Sequence, residues 1–404
     1  MSKPDPSVHR DHAFGAGLLI WFFATTMPLV NRDVTVFDDL DERLFHLPSI
    51  QRFASQLPSP DLSDYPSATT PLYHLAMSLV AAVVGDEVGI LRSVNLLISA
   101  GALAAAWWVL SQVGSRASAA VFGLAIAASP YFIGPSVRLS TDNAALLSVF
   151  IAVGLMLPGK EQPIKAGWAA TAAVLTRQLH AWLIGVMLWR AFRDRAQRSR
   201  WIAMSALPVV GLSAFVIMWG ALTPPSFARG HSAALNIDTL VFKLTVFGMY
   251  GFFVFPWLVP VIRQHARRMG IAVGATLLLL AVIHLPWQDD PNRWGGAIWQ
   301  LAARTPTLLD VPLSFWLLAP IGAVVVTAIA SSGPTGRYMA LCVLLWTIGG
   351  LASARAYQKY SDPMVLFVLG VAAQSLPRPP RWAWAGPAML IAGLWTVDWM
   401  RFYA

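Results

Sequence analysis

At 404 residues, 56% of them hydrophobic and only 12% charged, the chain carries about half the charge of an ordinary soluble domain, which excludes a water-soluble fold and points to a bilayer as its solvent. The net charge of +9 is divided among short arginine clusters between apolar runs, a pattern of membrane-protein loops that argues against a nucleic-acid groove. The single cysteine, Cys342, lies inside an apolar run, so disulfides play no part.

A polar tail, "MSKPDPSVHRDH", opens the chain. Residues 13–30 read as an uncleaved first helix, because no small-x-small cleavage site follows them. From there to "AWAGPAMLIAGLWTV", apolar stretches of roughly 17–25 residues follow one another, and they predict an all-α polytopic bundle of about 13 spans over residues 1–404 as a single integral-membrane domain. Strands are not expected, since no long series of alternating ten-residue segments is present.

Arginine placement sets sidedness. "RAFRDRAQRSR" (190–200), "RQHARR" (263–268) and "RPPR" (378–381) are predicted to face the cytoplasm. Loops 222–240, 286–311 and 354–362 then lie on the opposite face. Counting backwards, short spans at 164–176 and 179–192 put Arg177 and Gln178 at an outer turn and Asp142 outside as well. The count closes with a cytoplasmic N-terminus only if "LYHLAMSLVAAVVG" (72–85) does not cross, as its length suggests. The alternative is one long crossing at 164–192 with 72–85 spanning.

Residues 31–87 then form the first outer loop, and seven of the chain's 20 acidic residues fall between 31 and 66: Asp33, Asp38, Asp39, Asp41, Glu42, Asp61 and Asp64. Such residues are commonly no more than solvated. Here, however, Leu40, Leu44, Phe45 and Leu47 alternate with Asp41 and Glu42 near helical spacing, predicting a helix on the membrane surface that holds its carboxylates at fixed depth. Glu42 and His46 are four apart; a hydrogen-bonded pair is expected in preference to a metal site, because no third ligand stands at a zinc-like spacing.

Several islands, in order, resemble one family. "DERLFHLPSIQRF", "YPSATTPLYHL", "ILRSVNLLIS", "TRQLHAW", "DDPNRWGGAIW" and, more loosely, "ARAYQKYSDP" are similar to motifs of the ER α-1,2-glucosyltransferases that use dolichyl-phosphate-glucose, members of the GT-C membrane glycosyltransferases. The resemblance runs through most of the chain. It departs at "NRWG", where the family has Asn-Arg-His-Tyr, and the short chain fits a prokaryotic relative.

The resemblance implies a GT-C-like bundle and an inverting transfer of a hexose, glucose in the family, from a polyprenyl-phosphate-sugar to an acceptor hydroxyl outside the cytoplasm. A phosphate leaving group departs readily, so one carboxylate to take the acceptor proton and several cations suffice. Asp41 is the predicted base, with Glu42 as partner or as the base itself, and Asp38 and Asp39 behind them. Arg177, Arg293, Lys359, Arg355 and Arg138 are predicted to hold the phosphate, although Arg138 and Arg355 also suit snorkelling at helix ends. His46, Gln178, Asn292, Asp142 and Trp294 complete the predicted substrate site, with His180 read as a structural histidine. Asp142 equally suits a helix N-terminus, and Trp287, Trp294 and Trp299 suit either sugar stacking or interface anchoring. No metal and no cofactor are expected; the partners are the lipid donor, a glycan or lipid-linked acceptor and the bilayer of a prokaryotic cytoplasmic membrane. A transporter or flippase of lipid-linked sugars is the rival class, disfavoured by the lack of a visible repeat.

Overall fold

The computed structural model describes residues 6–32, 37–228, 235–283, 295–353, 356–376 and 379–403. They are almost wholly helical, as a chain in lipid must be if its backbone is to satisfy itself. After α1 (Pro6–Thr26) come α2 (Phe37–Asp41), a π turn (Glu42–His46), α3 (Leu47–Ser55) and α4 (Leu72–Val84). Next come α5 (Val88–Val113), α6 (Arg116–Ala127), α7 (Pro130–Val137), α8 (Thr141–Leu155), α9 (Pro163–Thr176), α10 (Trp182–Arg193), α11 (Arg198–Trp219) and α12 (Pro225–Ala228). The rest comprises α13 (Asp238–Gln264), α14 (Ala266–Val282), α15 (Ala297–Arg304), α16 (Leu313–Ser331), α17 (Pro334–Gly350), α18 (Asp362–Gln374) and α19 (Ala385–Asp398). Among the described residues the only strands are Thr307–Leu308 and Val311–Pro312, an antiparallel pair closed by Leu309 and Asp310 at positive φ.

Among the described residues four helices are long and apolar enough to cross a membrane, namely α5, α11, α13 and α16, and α6 with α7 makes a fifth if they form one broken span. The chain is an integral membrane protein. Shorter apolar helices run over Ala13–Leu29, α4 and α8. With 13 residues, α4 is about 20 Å long, well short of a hydrocarbon core of about 30 Å. The predicted interruption near Arg177 is present: its backbone is extended (φ −148°, ψ 115°) between α9 and a 3-10 turn, Gln178–Ala181, that leads into α10.

The chain packs as two compact units. The first comprises residues 1–109, 132–233 and 399–404, the second 110–131 and 234–398. In the first, α9 lies between α8 and α11, and α3 packs on α4 around Ile50, Tyr73, Met77, Leu91 and Leu139. In the second, α13 and α16 form the axis. Gly248 and Gly322 each bring the facing helix's backbone so near that any Cβ would overlap the carbonyl of Leu318 or of Leu244, the close approach that lipid-embedded helices obtain with small residues.

Candidate functional site

The acidic turn is built around a register change. Pro48 has no N–H and its ring clashes with a carbonyl one turn back, so the helix before it cannot continue as α; the π turn takes up the difference, and the Leu47 N–H bonds the Glu42 carbonyl. This aims the polar residues inward. Glu42 and His46 are buried (1% and 7% exposed), whereas Leu40 and Leu44 point outward, which costs nothing where the surroundings are lipid.

Glu42 is held on all sides. The Arg92 guanidinium donates from Nε to both carboxylate oxygens at 3.1 and 3.0 Å and adds a second, shorter Nη2 bond, while the Leu139 N–H donates at 2.7 Å. Such a bidentate pair is among the stronger interactions a protein makes. One residue away, Asp41 ends α2 and is half-buried; Asp38 is buried, and Asp39 is paired with Arg138. Arg138 is only 1% exposed, and it also donates to the carbonyls of Leu29, Arg32 and Val137. Its guanidinium is committed within the protein, which differs from both snorkelling and an open phosphate ligand.

The remaining islands of the first unit lock onto this turn. Asn95 accepts the Tyr73 hydroxyl at 2.9 Å and donates to the carbonyls of Pro135, Ser136 and Arg138, satisfying groups that the end of α7 leaves without helical partners. Arg92 and Asn95 belong to the "RSVN" motif, yet sequence reasoning gave neither a role in the site. His46 and His74 face each other, Nδ1 to Nε2, at 3.0 Å, beside the Glu42 that Arg92 and the Leu139 N–H hold. His74 is fully buried, and burial followed by the His46 ring holds its pKa well below the ordinary value. Burial likewise pushes the Tyr65 and Tyr73 hydroxyls upward.

Arg177 pairs with Asp142, a contact that sequence reasoning did not name, and Asp142 sits in the first turn of α8 behind its N-cap Ser140, as the helix-terminus reading has it. Gln178 accepts from the Thr70 N–H at 3.2 Å and donates to the carbonyls of Ala68 (2.7 Å) and Leu222 (3.0 Å), while the Thr70 hydroxyl donates to the Val174 carbonyl. His180 is 9% exposed and accepts the Trp182 indole N–H at 3.4 Å, in keeping with a structural role.

Of the predicted residues in the second unit, Asn292, Arg293, Trp294 and Arg355 lie outside the described residues, as does Trp287. The chain flanking them is sewn together. The Gln358 N–H donates to the Gly295 carbonyl at 2.9 Å, its side-chain oxygen accepts from the Ile298 N–H at 2.9 Å, and the Trp299 indole donates to the Ala356 carbonyl at 2.8 Å. Gly296, at φ 142°, lies flat on Gln358, where a Cβ would collide with that side chain. At the centre is Asp362, fully buried, which accepts from the hydroxyls of Ser129 and Tyr250 and from Gln358 Nε2. Trp299 stacks on Phe242 as core, and Lys359 sits 5.5 Å over the ring of Tyr360, half-buried in its 3-10 turn.

No family model and no curated protein matches the chain. Among solved structures it is similar to ArnT from Cupriavidus metallidurans bound to undecaprenyl phosphate, with a TM-score of 0.54 and 14% identity over 96% of this chain and 64% of that one. It is also similar to ArnT from the same organism in the apo state, with a TM-score of 0.39 and 13% identity over 89% and 77% of the two chains. The chain shares the helical fold of the undecaprenyl-phosphate-bound ArnT. It spans just under two thirds of the length of the undecaprenyl-phosphate-bound neighbour. The finer likeness to the ER α-1,2-glucosyltransferases is carried by the sequence islands alone.

Within this fold, the first unit presents an acidic turn whose neighbours are fixed by arginine, with Asp41 as its half-buried carboxylate. It also presents a second acid–arginine pair at Asp142 and Arg177. That combination suits proton removal from an alcohol and anion binding. No group of three or more metal-ligating side chains forms among the described residues.

Proposed function

We propose that the chain is a glycosyltransferase that moves a hexose from a polyprenyl-phosphate donor to an acceptor hydroxyl on the extracytoplasmic face, with inversion. The observation carrying this reading is the rigid acidic turn: Arg92 and the Leu139 N–H fix Glu42, Arg138 fixes Asp39, and Asp41 stands between them on the same short stretch of helix. The helical fold, shared with a protein crystallised with undecaprenyl phosphate, supports the donor class.

In the proposed reaction the Asp41 carboxylate takes the proton of the acceptor hydroxyl as that oxygen attacks the anomeric carbon. The bond from that carbon to the phosphate oxygen breaks and polyprenyl phosphate departs. Glu42, committed to Arg92, then acts by positioning the turn. Arg177, oriented by Asp142, is the cation proposed to meet negative charge, its planar fork matching phosphate oxygens. Gln178 holds the Arg177 turn against residues 68–70.

Transfer from synthetic polyprenyl-phosphate-hexoses tests the proposal. Removing a general base typically lowers the rate about 10²- to 10⁴-fold, so Asp41→Asn is expected to cut kcat by that factor with unchanged thermal unfolding. Glu42→Gln is expected to lower stability as well as activity. Full activity of Asp41→Asn would remove the base assignment, and failure of the wild-type protein with every donor hexose would remove the function.

A further inference from the structure

Lys243 lies in the second turn of α13, five residues past the helix start and so about 7.5 Å along its axis from the end that the arginine count places outside. It is 5% exposed. Its ammonium donates one hydrogen bond, to the Trp346 carbonyl at 2.8 Å, and lies 3.7 Å over the Trp346 ring; among the described residues it has no carboxylate partner. One turn earlier, Thr239 is 3% exposed, and its Oγ1 is buried without a hydrogen-bond partner. Across from both is Gly350, the last residue of α17, where a Cβ would come within 2.8 Å of the Lys243 Nζ and 3.1 Å of Thr239 Cγ2. Glycine is what lets the amine lie against that helix end.

An ammonium taken out of water loses more than one carbonyl and one ring return to it, and ionisable groups inside membrane helices ordinarily mark a pathway or a ligand. Lys243 has two N–H donors beyond the one given to Trp346, and Thr239 adds a hydroxyl one turn away. Lys243 and Thr239 are four residues apart on one face of α13, and both side chains border the same point at Gly350.

We infer that Lys243 and Thr239 form an anion site in the second unit, and that its ligand is a phosphate monoester, the headgroup of a polyprenyl phosphate. The existence of the site stands on this geometry; the lipid identity of the ligand rests on the reading of the chain as a polyprenyl-phosphate-dependent transferase. A monoester phosphate supplies the negative charge that the buried ammonium lacks and an oxygen to receive the Thr239 proton, and its chain continues into lipid.

The test titrates undecaprenyl phosphate, undecaprenol and inorganic phosphate against the full-length protein in neutral-lipid nanodiscs. Lys243→Met is expected to weaken undecaprenyl phosphate binding about 10- to 100-fold and leave undecaprenol unchanged, while Thr239→Val, nearly isosteric, weakens it about fivefold. Should Lys243→Met fail to fold, Thr239→Val decides. Phosphate-lipid affinity unchanged in both variants overturns the site. Lys243-dependent binding of inorganic phosphate as tight as that of the lipid supports the anion site and overturns the lipid assignment. Wild-type protein that binds no undecaprenyl phosphate overturns the transferase reading, whereas wild-type binding that ignores Lys243 overturns this inference alone.

Discussion

The two units settle their buried charges by opposite means. In the first, three buried or half-buried carboxylates meet guanidinium groups: Glu42 meets Arg92, Asp39 meets Arg138, and farther along Asp142 meets Arg177. In the second, Asp362 is surrounded by two hydroxyls and an amide, and Lys243 by a carbonyl and an indole. Paired ions lock a geometry at the cost of desolvating both partners, and each partner becomes a liability once the other is lost. Neutral dipoles around a single charge hold it less rigidly and leave its field open to another ion. The first arrangement suits a scaffold for catalytic groups, the second an anchor or a receptor.

The largest expected effect therefore belongs to the paired region. Arg92→Ala strands Glu42 in a pocket where it is 1% exposed, and a buried pair broken on one side costs about 3–5 kcal/mol. Thermal unfolding in detergent is expected to show that loss, with part of it recovered in the Arg92→Ala, Glu42→Gln double variant. A loss under 1 kcal/mol would show that the clamp is not what fixes the turn.

A smaller effect is expected at Asp362. Asp362→Asn keeps the shape but turns an amide N–H₂ toward the Ser129 hydroxyl on one side or toward Tyr250 and Gln358 on the other, costing about 1–3 kcal/mol. If it costs more than Arg92→Ala, the contrast drawn between the units is wrong.

The smallest effect concerns pH. His74 is kept neutral in the fold, so below the ordinary value of 6.5 the unfolded chain takes up a proton that the native chain refuses. Its contribution is fully present above that pH and is lost as pH falls below it, at up to about 1.4 kcal/mol per pH unit. Denaturation midpoints measured between pH 7.5 and 5.5 are expected to fall for the wild type and to flatten for His74→Gln; equal slopes would remove His74 as the cause.

Much of the site was legible as a set of motifs but not as a set of contacts. "RSVN" could be quoted without revealing that Arg92 holds Glu42 or that Asn95 caps α7, because those partners are 50 and 40 residues away. Arg138 was legible as a cation at an outer turn; that it is buried beneath carbonyls depends on α7 ending where α2 begins its turn. The pairing of Arg177 with Asp142 was not legible, since 35 residues separate them and nothing local marks the contact. Lys243 left no trace, since a single lysine in an apolar run reads as one imperfection in a span.

Composition and periodicity by themselves determined that the chain is helical and lives in a bilayer, because hydropathy is a sum over neighbours and backbone self-satisfaction leaves few other options. They determined as well that acid gathers between residues 31 and 66. Which carboxylate is clamped, which is left half-buried, and which lysine is buried without an acid were decided only by tertiary structure. Hydrogen bonds and ion pairs act over a few ångströms, between groups that the chain separates by tens to hundreds of residues.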